Sequence, residues 1–245
     1  MQSPVKAIFF DLGGTLFSYG GRQGGGISHV LKSKGINAAP EEIGQAWQMA
    51  AARAGEHYGR QRYFLHKDLF RDTLTHFLAE FDQQADDEFF TEFHLKQRDG
   101  MVKHLPIRDD CRSTLQALRE RGLYLSVVSN IDDDYLYPLL DKHDLVPLFD
   151  HCTSSEEARS CKPDPEIYHY AVKKSGLTID DVLFVGDSLH HDVAGAHKVG
   201  MRSARIVDEG VVTPLTHGLE VIAEPTFEIS SLSDLIGVIE SVNRS

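Results

Sequence analysis

Cysteine is scarce in this chain. Its 245 residues include three, Cys111, Cys152 and Cys161, an odd number with no CxxC spacing. That pattern excludes a disulfide framework and a thiolate zinc site, and it points to a reducing compartment, the cytoplasm. A basic excess is also missing. Lysine and arginine number 25 against 37 acids, for a net charge of −12. A general nucleic-acid binder displays a basic face, so no nucleic-acid partner is expected. An anionic substrate would be repelled unless cations gather at its site. Long apolar runs are lacking as well. No segment approaches the roughly 18 apolar residues of a spanning helix, and the start, Met1 to Lys6, has no apolar secretory core. No membrane partner is therefore expected. Glycines cluster from Gly20 to Gly26, but no Gly-Lys-Ser/Thr ending follows, which excludes a P-loop cradle for nucleotide. Internal repeats and low-complexity tracts are absent, and nothing signals an oligomeric state.

What remains is an ordinary globular composition, 41% hydrophobic and 25% charged. The apolar run from Val5 to Phe10 reads as a buried strand and leads into Asp11. The loop from Tyr19 to Gly26, with five glycines, reads as a mobile flap. Helical periodicity then takes over. Pro40-Glu41-Glu42 opens a helix, with proline at its first position and acids on the positive end of its dipole. From His66 to Phe81, residues Leu69, Phe70, Leu74, Phe77, Leu78 and Phe81 form one apolar stripe, read as core. Phe89, Phe90 and Phe93 indicate another helix. No strand is expected between Ile27 and Gln97. Residues 19–99 thus read as a helical unit inserted into a larger domain made of residues 1–18 and 100–245.

From Gly100 onward the pattern alternates. A helix through Leu115 and Leu118 ends at Gly122, and a buried strand runs from Leu123 to Val128. A helix from Asp133 to Lys142 leads to a short strand near Asp150 to Thr153. Pro163-Asp164-Pro165 opens a helix that closes near Gly176, and Val182 to Val185 is a further strand. A helix from Ala194 stops at Gly200, with short strands near Ser203 to Val207 and Thr226 to Ile229. Alternating strands and helices predict an α/β fold, a Rossmann-like parallel sheet with right-handed crossovers. Asp11, Ser129 and Asp187 then lie at strand ends, and Lys162 opens a helix just after a strand. The carboxyl ends of parallel strands share one edge, where open α/β sheets bind ligands.

Four segments carry a family resemblance. They are Phe9-Phe10-Asp11-Leu12-Gly13-Gly14-Thr15, Val127-Val128-Ser129-Asn130, Lys162-Pro163-Asp164-Pro165-Glu166-Ile167-Tyr168, and Gly186-Asp187-Ser188 through Asp192. In this order they resemble the motifs of the haloacid dehalogenase (HAD) superfamily, with the inserted helices resembling its C1 cap. The resemblance implies an Mg²⁺-dependent hydrolase of a small phosphorylated metabolite. Asp11 would be the nucleophile, passing through an aspartyl-phosphate. Lys162 would neutralise the charge shared by nucleophile and phosphate. Ser129, Asn130 and Gly14 would bind phosphate oxygens. Asp11, Asp187, Asp192 and the Gly13 carbonyl would hold the Mg²⁺. His190 and His191 read as ordinary residues of the loop entering a helix. Arg60, Arg62 and Lys67 are either specificity residues of the cap or a solvated face.

One position departs from the pattern. The usual phosphatase form is Asp-x-Asp-Gly-Thr, and here the second aspartate is Gly13. That aspartate protonates the leaving oxygen and then activates water, service worth roughly 10²–10⁴-fold. Its loss leaves three readings: hydrolysis restricted to good leaving groups, a different chemistry of the same superfamily, or a binding protein on the same fold. Phosphonoacetaldehyde hydrolases carry a small residue here and use a cap lysine, for which Lys32 or Lys67 would serve. Haloacid dehalogenases also lack the second aspartate, but they need no metal, and the intact Asp187 and Asp192 speak against that chemistry.

Overall fold

The run before Asp11 becomes the strand around which everything else is arranged. In the computed structural model, which describes residues 3–18, 25–207 and 223–244, β1 (Ala7–Phe10) is buried along its whole length. It pairs in parallel with β2 (Tyr124–Ser129) on one side and β4 (Val182–Gly186) on the other. With β3 (His151–Ser154), β5 (Arg202–Ile206) and β6 (Phe227–Ile229), the sheet has the order β3-β2-β1-β4-β5-β6 and is parallel throughout. Strands buried on both faces read as continuous apolar runs, which is why the inner three were legible. Successive side chains still alternate. Ile8 and Phe10 enter one core while Ala7 and Phe9 enter the other.

Helices cover both faces. After β1 come α1 (Gly25–Lys34), α2 (Pro40–Tyr58), α3 (His66–Ala79) and α4 (Asp87–His104). The chain continues with α5 (Cys111–Glu120), β2, α6 (Asp133–Lys142), β3, the single turn α7 (Ser155–Ala158) and α8 (Pro165–Ser175). Next are β4, α9 (Ala194–Lys198), β5, β6 and α10 (Asp234–Arg244). Leu115, Leu139 and Leu235, on α5, α6 and α10, pack on the Ile8/Phe10 face. Tyr168 and Ala196, on α8 and α9, pack on the other. The expected α/β architecture is therefore present. Among the described residues no helix is long and apolar enough to cross a membrane. Residues 19–24 of the glycine-rich flap lie outside the described residues.

The four helices after β1 have a core of their own, including Val30, Ala50, Leu74, Phe77 and Phe93. The stripe read on α3 is largely that core, with Leu69, Leu74, Phe77 and Leu78 buried. α4 runs past Asp99-Gly100, where a break in pattern was expected, to His104. A glycine inside a helix costs about 1 kcal/mol relative to alanine, and here Met101 and Val102 hold the last turn by packing against the main core. α10 was not anticipated, although Leu235 and Ile239, both buried, stand at helical spacing. It is tied back to β1 by Asn243, whose side chain accepts from the Val5 N–H at 2.7 Å and donates to the Val5 carbonyl at 3.1 Å.

The insertion is clamped to the sheet domain beside the carboxyl edge. Asp132, just beyond β2, accepts from the backbone N–H groups of His66 at 2.8 Å and Lys67 at 2.9 Å. Those are orphan donors of the first turn of α3, so a core carboxylate caps an inserted helix. Arg62 donates twice to Asp164, at 2.9 and 3.3 Å, and the Arg62 carbonyl accepts from the Cys161 N–H at 2.8 Å. Replacing Asp132 by alanine is expected to cost about 1–2 kcal/mol, the worth of a helix cap. Urea unfolding measures it, and an unchanged midpoint would mean the clamp contributes nothing.

Candidate active site

Three neighbouring strands deliver their last residues to one place. β1 hands over Asp11, β2 ends on Ser129, and β4 ends at Gly186 beside Asp187. The Asp11 N–H still follows the sheet, donating to the Val185 carbonyl at 2.8 Å. Lys162 arrives from the segment between α7 and α8. Asn130 fixes it there. Its Nδ2 donates to the Lys162 carbonyl at 2.9 Å, and its Oδ1 accepts from the Lys162 N–H at 2.6 Å. The Lys162 ammonium donates to Asp11 Oδ1 and to Asp192 Oδ1, each at 2.6 Å. Ser129 Oγ donates to the same Asp11 oxygen at 3.1 Å.

Asp192 comes from a π turn spanning Leu189–Val193. Its second oxygen accepts from the Ser188 N–H at 2.9 Å. Gly186 makes room for it, since a Cβ there would overlap the Asp192 carboxyl. Asp11, Asp187 and Asp192 each present an oxygen within 4.8 Å of the others. Two of these carboxylates, Asp11 and Asp192, share one ammonium, and hard oxygen donors gathered in this way suit a small divalent cation. Burial works against the Lys162 charge, but Asp11 and Asp192 outweigh it and raise its pKa above the ordinary lysine value. Burial also pushes the Asp11 carboxyl upward, against the pull of Lys162. A divalent cation among the carboxylates would oppose that rise.

The cluster forms the floor of a cavity of about 950 Å³ between the sheet edge and the inserted helices. Gly13 lines it, as do Ser129, Asn130, Ser188 and His191. Gly14 holds the left-handed turn beyond the nucleophile candidate with φ of 85°, while Gly13 is not among the positive-φ glycines. The Gly14 N–H donates to the Phe17 carbonyl at 2.6 Å, and its own carbonyl accepts from Arg108 at 2.8 Å. Each expected phosphate ligand is thus engaged within the protein: Ser129 with Asp11, Asn130 with Lys162, Gly14 with Phe17. Lys32 and Lys67 are exposed and absent from the described cavity lining, and Arg62 is spent on Asp164.

One residue at this site was not singled out from the sequence. His66, the first residue of α3, lines the cavity and is 6% exposed. Neither ring nitrogen has a hydrogen-bond partner in the protein; Asp132 Oδ1 is 3.8 Å from Nδ1, too far for one. Burial pulls its pKa down to about 4. His191 is likewise pulled down to about 3, by burial and then by Lys162. The signal for His66 was its place at a helix start, and that was read only as the edge of a core stripe.

Comparison with known proteins gives the chain's relatives. A family model described as a haloacid dehalogenase-like hydrolase matches residues 5–200. The (S)-2-haloacid dehalogenase 4A of Burkholderia cepacia is 27% identical over 240 residues, covering 91% of this chain and 94% of that protein. A phosphoglycolate phosphatase of Aliivibrio fischeri is 26% identical over 208 residues, covering 83% and 84%. In fold, the Bacillus subtilis protein YfnB, solved bound to magnesium, superposes with a TM-score of 0.75 at 18% identity, covering 97% of this chain and 99% of that one.

The buried, neutral His66 has a consequence for stability. Above pH 6.5 it is uncharged in both the folded and unfolded states and costs nothing. As pH falls from 6.5 toward 4, the unfolded chain takes up the proton that the folded one refuses, and stability is lost. At about 1.4 kcal/mol per unit, the full loss attributable to this ring is on the order of 3 kcal/mol. Denaturant unfolding across that window should show a flatter pH dependence in His66→Gln than in the unsubstituted protein. Parallel curves would contradict the assignment.

Proposed function

This chain belongs to the haloacid dehalogenase-like hydrolases, and on that premise we propose that it is an Mg²⁺-dependent phosphatase acting through Asp11 on a small phosphate monoester. The observation that carries this reading is the carboxylate triad Asp11, Asp187 and Asp192, crossed by the Lys162 ammonium. A dehalogenation site, which needs no metal, does not require a cation-binding cluster of carboxylates. A phosphoryl-transfer site does, because they hold the cation that offsets the charge of the phosphate.

In this reading Asp11, Asp187, Asp192 and the Gly13 carbonyl hold Mg²⁺, which when bound screens the repulsion between the carboxylates and an incoming phosphate. An Asp11 carboxylate oxygen attacks phosphorus. The bond to the ester oxygen breaks, and that oxygen leaves with its electron pair. Water then attacks phosphorus, releasing inorganic phosphate and returning the Asp11 carboxylate. Lys162 keeps its ammonium against Asp11 and stabilises the charge that gathers there. Ser129 holds the attacking carboxylate in one orientation, and Asn130 holds the Lys162 main chain. The docked helical insertion keeps bulk water off the phosphoenzyme.

Gly13 sets the limit of this chemistry. With no carboxyl at that position, an alkoxide must leave unprotonated or take its proton from water. Replacing Asp11 by asparagine is expected to lower Mg²⁺-dependent phosphate release by about 10³-fold or more. Gly13→Asp adds the missing acid where no positive φ opposes a side chain. It should raise turnover of alkyl phosphates by about 10²-fold and that of acyl phosphates by less, since they gain only from activation of the attacking water. A phosphate-release assay on both substrate types checks this. Equal effects on the two would contradict the assigned role of the missing acid.

A further inference from the structure

We infer that the cavity above Asp11 selects the phosphate ester of an uncharged aromatic hydroxy compound, an aryl phosphate, and rejects substrates that carry a carboxylate. The inference rests on the phosphatase reading and names the substrate class of the same site. Three independent features lead to it.

The first is the wall. Ile43, Trp47, Leu69, Phe70 and Met101, on the inserted helices, and Tyr135, on α6, line one part of the cavity. At about 950 Å³ it lies within the range of pockets that enclose drug-sized ligands, roughly 300–1,000 Å³. The remainder of a two-carbon acid would leave most of it unfilled.

The second is charge. Among the described residues that line the cavity, Lys162 is the one lysine or arginine, and its ammonium is already held by Asp11 and Asp192. A substrate carboxylate pointing into the apolar end would meet no lysine or arginine among the described lining residues, and burying a charge without a counter-charge is strongly unfavourable. The dehalogenase and phosphoglycolate phosphatase relatives are named for substrates that carry that group. This chain, at 27% and 26% identity to them, presents a wall suited to a different remainder.

The third is the leaving group. Gly13 supplies no proton. A phenol ionises near pH 10, as the tyrosine side chain does, whereas the O–H of water has a pKa of about 16 and simple alcohols behave alike. An aryloxide therefore departs without the acid that an alkoxide requires. His66 adds a polar requirement to a wall that also carries Gln48, Thr73 and Gln97. Its buried ring, 5.2 Å from that of Phe64 and tilted against it, has one donor and one acceptor nitrogen when neutral, both without partners in the protein. Such a pair suits a neutral hydroxyl or carbonyl on the aromatic ring of the substrate.

Four phosphates test this on the Mg²⁺-loaded chain. Acetyl phosphate needs neither the cavity nor a proton donor, so it reports on Asp11 chemistry alone. Phenyl phosphate, 3-carboxyphenyl phosphate and the methyl ester of the latter share leaving groups of similar acidity. The ester should exceed the acid by at least about 30-fold in kcat/KM, because only the acid buries an unpaired charge. Gln48→Arg places a cation on the exposed rim of the cavity and should bring the two within about threefold. In His66→Phe the ester should lose about 5- to 10-fold relative to phenyl phosphate, which offers the ring no carbonyl. Failure to hydrolyse acetyl phosphate would overturn the phosphatase reading itself. Hydrolysis of acetyl phosphate with equal use of acid and ester would overturn the substrate class alone.

Discussion

The structure depends on one buried ammonium. Lys162 is 3% exposed, and a lone ammonium in that position would cost several kcal/mol. It is tolerated because two carboxylates meet it at hydrogen-bond distance. The converse also holds: Asp11 and Asp192 stay together at the sheet edge because Lys162 stands between them. Neighbouring features serve this arrangement. Asn130 ties down the lysine main chain with two hydrogen bonds. Gly186 leaves space for the Asp192 carboxyl, and Ser188 binds its second oxygen. The order of the sheet matters for the same reason. Only because β2 and β4 flank β1 do Ser129, Asp11 and Gly186–Asp187 arrive side by side.

The helical insertion answers to the same edge. Its clamps are Asp132 on the first turn of α3 and Asp164 on Arg62, and both acids lie close in sequence to site residues Asn130 and Lys162. Docking therefore couples the wall of the cavity to its floor. That wall is largely apolar where it faces away from the carboxylates, and it carries a histidine with no hydrogen-bond partner in the protein. On the proposed reading, the charged floor would take the phosphate and the largely apolar wall the group that carries it.

Much of this was legible in the residues. β1, β2 and β4 announced themselves because strands buried on both faces cannot hide polar residues. α6 runs from Asp133 to Lys142 as its pattern implied. The motif residues Asp11, Lys162, Asp187 and Asp192 were identified by resemblance and spacing, and the fold brings them together. What escaped was set by tertiary contact. α4 continues through Gly100 because Met101 and Val102 find the main core. α10 had its apolar spacing but no neighbouring signal to weigh it against. His66 is chemically ordinary until Asp132 draws the start of α3 down and buries the ring. Asn130 was expected to face phosphate, and it is bonded to the Lys162 main chain, a pairing no spacing rule contains.

Phosphatase and dehalogenase chemistry begin from the same carboxylate, so the nature of the covalent intermediate decides between them. The most direct measurement is mass spectrometry of the Asp11 peptide after acid quench during Mg²⁺-dependent turnover of acetyl phosphate. The account predicts a phosphoryl group on Asp11 that disappears on chasing with water. Turnover with no phosphoryl group on Asp11 would contradict it.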